Sequence, residues 1–353
     1  MTTTNSKRAF MKTLAKCAVG AAILAGGFIG MQSAATAQEV TLRLHQFLPA
    51  QASVPKSVLA PWIEKIEAES DGRIKIQHFP SMQLGGTPPQ LIDQAIDGVA
   101  DIVWTLPGYT PGRFPRTEVF ELPFTIKDAE SASRAFWQLG EETMFNADFK
   151  DVKVLGLWVH GPGIIHSKEP ITSVEDLNGV KLRAPTRVTT ALFKDLGATS
   201  VGMPVPAVPE ALSKGVIDAT AIPWEVTGAI KTSELVSNHT SFGDEVLYTA
   251  TFVLAMNKDK YEALPDDLKK VLDDNSGLEF SADAGRRTQA DDAGPYQFAV
   301  DRGNNIIELS ADQVAQWKQA AQPTIENWIA EMDDKGLDGS GLFARATELM
   351  NAE

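Results

Sequence analysis

The sequence holds one cysteine in 353 residues, Cys17, and it lies ahead of every stretch with folding character. Disulfides and thiol chemistry are thereby excluded from the folded part of the chain. Basic residues are scarce too: 32 Lys and Arg stand against 46 Asp and Glu, a formal charge of −14. That balance argues against nucleic acid or an anionic membrane as a partner, and it means that an anionic ligand needs a locally built positive site. The five histidines, His45, His78, His160, His166 and His239, never fall at His-Glu-x-x-His or another tight ligand spacing. His160 and His166 flank Gly161-Pro162-Gly163, for which a turn between strands is a plainer reading than a metal pair. There is no Walker loop, no Gly-x-Ser-x-Gly and no Gly-x-Gly-x-x-Gly after a strand, so no cofactor is implied. No apolar run reaches the length of a membrane span; Cys17 to Met31 is about 15 residues, rich in Gly and Ala.

Lys7, Arg8, Lys12 and Lys16 precede that run and Ala35-Thr36-Ala37 follows it, the order of a cleaved export signal over residues 1–37. Ser6 to Lys12 resembles a twin-arginine signal with lysine in the first arginine's place, which leaves the export route open. Cleavage after Ala37 leaves 316 residues; it removes four positive and no negative charges, taking the formal charge from −14 to −18. The expectation is an exported, periplasmic protein without membrane insertion. A chain of this length with 43% hydrophobic residues buries ample core, and two lobes suit it better than one.

Thr41 to Leu44 and Arg73 to Gln77 alternate as strands, and Ala100 to Trp104 reads as a buried one. Helical spacing over Val58 to Ile66 and Leu91 to Ile96 separates them. Strand–helix order of this kind predicts a parallel sheet with right-handed crossovers. The unit recurs: Gly72 leads into Ile74-Lys75-Ile76 as Gly179 leads into Val180-Lys181-Leu182, and Gly98-Val99-Ala100-Asp101 is answered by Gly215-Val216-Ile217-Asp218. Two such halves face each other across a cleft. Val246 to Met256 reads as one unbroken strand passing between lobes, and the last third reads as helices, with Ser310-Ala311-Asp312 a start.

The densest signal is Asp176 to Pro185. Val180-Lys181-Leu182 alternates, Arg183 falls at the strand's end, and Pro185 forbids continued pairing. Val188, Leu192, Phe193 and Leu196 then keep helical spacing. Arg183 thus sits in a turn at the carboxyl end of a strand, with Thr186 beside it, where open α/β sheets bind ligands. A guanidinium fixed there suits a carboxylate. Other strand ends carry His45, Trp104 with Tyr109 beyond it, His160, and Trp224-Glu225 after Pro223; together they outline an aromatic pocket.

These residues reached, the chain resembles the substrate-binding proteins of TRAP transporters, the DctP-type family, over nearly its whole length. The matching stretches are Ser81 to Gly85, Gly98 to Ile102, Phe120 to Phe124, Asp176 to Pro185 and Lys214 to Asp218. The resemblance implies an α/β, two-lobed periplasmic-binding-protein fold with a hinge and C-terminal helices. Residues 38–159 plus about 250–290 would form one lobe, and 160–249 plus about 291–353 the other. It further implies closure on a small organic acid, no catalysis, and delivery to membrane permease subunits driven by an ion gradient. Arg183 matches the arginine that pairs with the ligand carboxylate across the family. Many relatives carry a second basic residue after the strand ending near His160, where this chain has Gly161-Pro162-Gly163-Ile164. One arginine among aromatics suggests a monocarboxylate with an aromatic, keto or hydroxy substituent rather than a C4-diacid. A diacid would recruit Arg113, Arg187 or His166. The reading from another class is an exported hydrolase or lyase with an acid–base pair among His45, His160, His166 and Glu225.

Overall fold

Alternating and apolar stretches become strands as the sequence predicts, and in this computed structural model, which describes residues 40–352, eleven strands form two sheets. They are β1 (Val40–His45), β2 (Ile74–Phe79), β3 (Ile102–Thr105), β4 (Val152–Val159), β5 (Ile164–Ser167), β6 (Lys181–Ala184), β7 (Thr199–Gly202), β8 (Ala219–Ile222), β9 (Asn238–Ser241), β10 (Thr251–Asn257) and β11 (Asn305–Glu308). The expected export signal, 1–37, lies outside the described residues. Among the described residues no helix is long and apolar enough to cross a membrane.

The first sheet has the order β2-β1-β3-β10-β4 and the second β11-β9-β5-β8-β6-β7. In each, three parallel strands share one pattern: β2-β1-β3 in the first and β7-β6-β8 in the second. Each trio is bordered by an antiparallel strand that arrives from elsewhere in the chain, β10 beside β3 and β5 beside β8. The internal repeat is therefore real, but half of its expected register is shifted. Gly98 and Gly215 do lead into the matching strands β3 and β8, whereas the strand after Gly72 is β2, whose counterpart is β7, and the strand after Gly179 is β6, whose counterpart is β1. Gly72 (φ 74°) and Gly179 (φ 77°) both adopt the left-handed backbone. Such a glycine marks where a turn ends, not a strand's place in a sheet.

Helices cover both sheets with apolar faces. On the first, the helix Ala129–Leu139 presents Ala132, Ala135, Phe136 and Leu139 to β4 and to the helix Leu278–Ala290. On the second, Leu192 and Phe193 of the helix Arg187–Asp195 pack with Leu182, Ala219 and Trp317. The long helix Ala311–Asp334 starts at Ser310, whose capping box with Gln313 satisfies its first turn. It buries Trp317 beside Phe242 of the second sheet's core, while Trp328 and Met332 join the core of the first.

Two expectations are revised. The strand over 246–256 begins only at Thr251, because the backbone before it is bonded to loops: Phe124 N donates to Val246 O (3.1 Å) and Gly163 N to Tyr248 O (3.0 Å). The C-terminal helix Gly339–Asn351, grouped above with the second lobe, packs against the 129–139 helix beside the first sheet. The chain passes between the sheets at 160–163, at 242–250 and between the 278–290 helix and the helix Ala293–Asp301.

Candidate functional site

Arg183 is the third residue of β6, flanked by Val201 of β7 and Thr220 of β8. Its side chain is 1% exposed. Nε donates to the carbonyl of Met203 (2.9 Å) and Nη1 to that of Ala221 (3.0 Å), both at the carboxyl ends of neighbouring strands. The guanidinium is thus held by backbone on two edges, and Nη2 is buried with no hydrogen-bond partner. Among the described residues its electrostatic neighbours are the phenols of Tyr109, which lies within hydrogen-bond reach of the guanidinium, and of Tyr248; no carboxylate is among them. A guanidinium stays ionised even where burial lowers its pKa, as here, so an unpaired positive charge is buried in the protein. That is costly unless an anion completes it.

Arg183 lines a pocket of about 380 Å³, part of it open to solvent, whose wall draws on both sheets. Phe47, Trp104, Tyr109, Tyr248 and Phe252 form much of its wall, with Ile222, His160 and Glu225. Trp104 stacks on Phe47 (4.7 Å between centroids, 18°) and lies parallel to Trp158 (6.2 Å, 6°). The Tyr248 hydroxyl and the Trp104 indole N–H are, like Arg183 Nη2, buried without partners, which is unusual for polar groups in a folded core. Three donors without partners therefore belong to residues that line a largely apolar chamber.

Of the residues read as a pocket, Arg183, Trp104, Tyr109, His160 and Glu225 line this cavity; Trp224, His45 and Thr186 do not. Trp224 opens the helix Trp224–Ile230 and turns away from the cavity, edge-on to His166 (4.9 Å, 89°) and 4.8 Å from His239. His45 is buried between the turn at Leu84 and the helix Leu91–Ile96, with Nδ1 2.7 Å from Gln94 Oε1 and Nε2 accepting from Leu84 N. Thr186 caps the 187–195 helix, reciprocally bonded with Thr189. Sequence reasoning missed Tyr248 and Phe252 altogether. The signal was one phenol in an otherwise apolar stretch of a chain with only 4 tyrosines.

The acid–base reading fails on nitrogen valence. His160 Nδ1 donates to Gly161 O (2.6 Å) and Nε2 accepts from Ala250 N (2.9 Å), so the ring is neutral and fully committed. Burial and the Arg183 charge push its pKa down to about 4. His166 donates from Nε2 to Ile222 O (3.2 Å), so its Nδ1 must accept from His239 Nδ1 (2.7 Å), and His239 Nε2 accepts from Asn304 (2.9 Å). One proton arrangement satisfies this whole chain. Among the described residues no cluster of His, Cys, Asp and Glu could hold a metal ion.

This neutral relay supports the corner that carries Ile222 and Glu225, and it makes a prediction. Burial holds His239 near 4 and His166 well below its ordinary value, while in the unfolded chain both titrate near 6.5. Below pH 6.5 the unfolded state takes up protons that the folded state refuses, so each contributes stability that is lost as pH falls below 6.5, for His239 until about pH 4, at about 1.4 kcal/mol per pH unit. Imidazole ¹⁵N spectra should show Nε2–H on His166 and Nδ1–H on His239, unchanged down to about pH 5. A charged ring on either residue at pH 6 would contradict the arrangement.

The sequence profile of the bacterial extracellular solute-binding proteins, family 7 (DctP), matches residues 45–331. The chain belongs to this family. It is a TRAP-type solute-binding protein, and its relatives are receptors of small organic acids, not enzymes. A TRAP solute-binding protein from Rhodoferax ferrireducens, solved with copurified benzoate, is 48% identical with a TM-score of 0.87; the alignment covers 89% of this chain and 98% of that one. A marine metagenome member specific for aromatic acid ligands, solved with 3-hydroxybenzoate, is also 48% identical with a TM-score of 0.87, over 89% of this chain and 99% of that one. The C4-dicarboxylate-binding periplasmic protein DctP of Rhodobacter capsulatus is 25% identical, over 75% of this chain and 79% of its own. The two-lobed α/β architecture is that of the family's solved members.

Proposed function

We propose that the protein captures a small aromatic monocarboxylate between its lobes, in the periplasm, and hands it to the membrane permease subunits of a TRAP transporter. The observation that carries this reading is Arg183: buried, fixed by two carbonyls and unpaired at Nη2 in an aromatic-walled chamber. The ligand carboxylate accepts from Nη2, with the Tyr248 hydroxyl and the Trp104 N–H as further donors. Its flat body lies among Trp104, Phe47 and Phe252, whose rigid faces lose little entropy on contact. Residues 40–159 with β10, the 278–290 helix and the C-terminal helix act as one lobe, and 164–241 with the 293–301 helix and β11 as the other. They close by rotation at the three crossings between sheets, with the 311–334 helix, whose Trp317 and Trp328 belong to different cores, as a fourth link.

A C4-diacid needs a second cation, and the candidates for that part are occupied. Arg113 pairs with Asp93 (2.7 Å), Arg187 with Glu118 and Glu331 (2.6 Å to the latter), and His166 with His239. The monoacids bound by the two relatives at 48% identity agree with this. Competition calorimetry at pH 7 should rank benzoate-type acids above succinate, malate and fumarate by at least tenfold, with no turnover of any of them. A diacid that binds best would overturn the ligand class, and a consumed ligand would overturn the receptor reading itself.

A further inference from the structure

Among the described residues Glu225 is the one acidic side chain on the cavity wall. It is 5% exposed, and its Oε2 is buried with no partner. Arg183 is anchored to the carbonyls of Met203 and Ala221 at the strand ends of the second sheet, whereas Glu225 sits in the helix Trp224–Ile230 with its backbone held by Asp292. The cavity wall therefore carries two buried polar groups set on different elements, with aromatic side chains in the same lining. We infer that Glu225 reads a hydroxyl group carried on the ligand body away from its carboxylate, so that the preferred ligands are hydroxylated aromatic monoacids. This rests on the carboxylate reading of the Arg183 end.

The surroundings decide what Glu225 offers. Its backbone N–H donates to Asp292 Oδ1 (2.7 Å), and Asp291 Oδ2 accepts from the hydroxyls of Ser53 and Ser57 (2.6 Å each). The nearby Arg287 is spent on Asp283 and on Ser57 O, and the histidines beneath, His166 and His239, are neutral. No cation among the described residues faces it, and burial together with the Asp292 and Asp291 carboxylates outweighs a hydrogen bond from Ser53, so the Glu225 carboxyl is pushed well above its ordinary range, toward the neutral form. A neutral carboxyl both donates and accepts, which matches a hydroxyl, itself a donor and an acceptor. It does not repel the ligand's own carboxylate. A second carboxylate there would be a buried anion without a counter-charge.

The test uses benzoate, 3-hydroxybenzoate, 4-hydroxybenzoate and 3-(aminomethyl)benzoate in calorimetry on the whole mature protein and on Glu225→Leu and Glu225→Gln. The wild type should bind at least one hydroxybenzoate about tenfold or more tightly than benzoate. That ratio should collapse toward one in Glu225→Leu and largely survive in Glu225→Gln, whose amide also donates and accepts. Equal affinity of the wild type for benzoate and both hydroxybenzoates overturns the inference while leaving the carboxylate reading intact. So does a ratio that survives in Glu225→Leu, or a preference for the aminomethyl acid. Failure of every acid in the panel to bind overturns both.

Discussion

Replacing Arg183 with alanine should weaken carboxylate binding by roughly 30-fold to several thousand-fold, about 2–5 kcal/mol. The size follows from where the guanidinium sits. It has already lost its water, it is 1% exposed, and Met203 and Ala221 hold it in one orientation. The ligand therefore meets a donor that needs no further ordering. Arg183→Lys should recover little, because one ammonium cannot bond two strand-end carbonyls and still present a planar edge to the ligand. Arg183→Met supplies the control. An arginine buried without a carboxylate weakens the ligand-free fold, so the ligand-free Met variant should unfold within about 1 kcal/mol of wild type despite the two carbonyls it leaves. Calorimetry and denaturant unfolding read the two effects separately. Near-native affinity in Arg183→Ala, with the fold intact by circular dichroism, would make Arg183 a structural residue.

That arginine was legible because its position depends on chain-local facts: a glycine turn before it, alternation through it and a proline after it. The same strand-end logic placed Trp224 on the wall, and there it fails for a geometric reason. Position along the chain locates the end of β8 but not the direction of each side chain once a helix begins. Successive helical residues turn by about 100°, so Trp224 points back to His166 and His239 while its neighbour Glu225 faces the cavity. His45 errs similarly: it ends β1 bound to Gln94 and Leu84, and Phe47, in the loop beyond the strand, lines the cavity instead. Tyr248 was invisible because its role depends on a contact that no local pattern encodes. Gly163, far away in sequence, has no side chain, and a Cβ there would come within 2.3 Å of the Tyr248 ring. The Gly-Pro-Gly turn, which reads as a departure from the family, is what lets the phenol reach the cavity.

Truncating Trp104 should have the largest effect on stability of any single change in the pocket. Its ring is 1% exposed and packs against Phe47 at 4.7 Å, Phe252 at 5.1 Å and Trp158 at 6.2 Å. These partners come from the loop after β1, from β10 and from β4, so the ring ties together separate parts of the first sheet. Removing a buried aromatic of this size costs about 3–5 kcal/mol, a large share of the 5–15 kcal/mol typical of a folded domain. Trp104→Ala should therefore unfold at markedly lower urea, whether or not ligand is present. Trp104→Phe separates wall from donor. It keeps most of the stack, so its stability should fall by less than about 1.5 kcal/mol. It deletes the indole N–H that is buried without a partner, and the carboxylate loses one hydrogen bond, about 1 kcal/mol or fivefold in affinity. A Phe variant that binds as tightly as wild type would remove the indole from the donor set and leave Arg183 and Tyr248 to hold the anion. An Ala variant destabilised by less than 1 kcal/mol would mean that the stack is ordered by the lobe around it and contributes little to holding that lobe together.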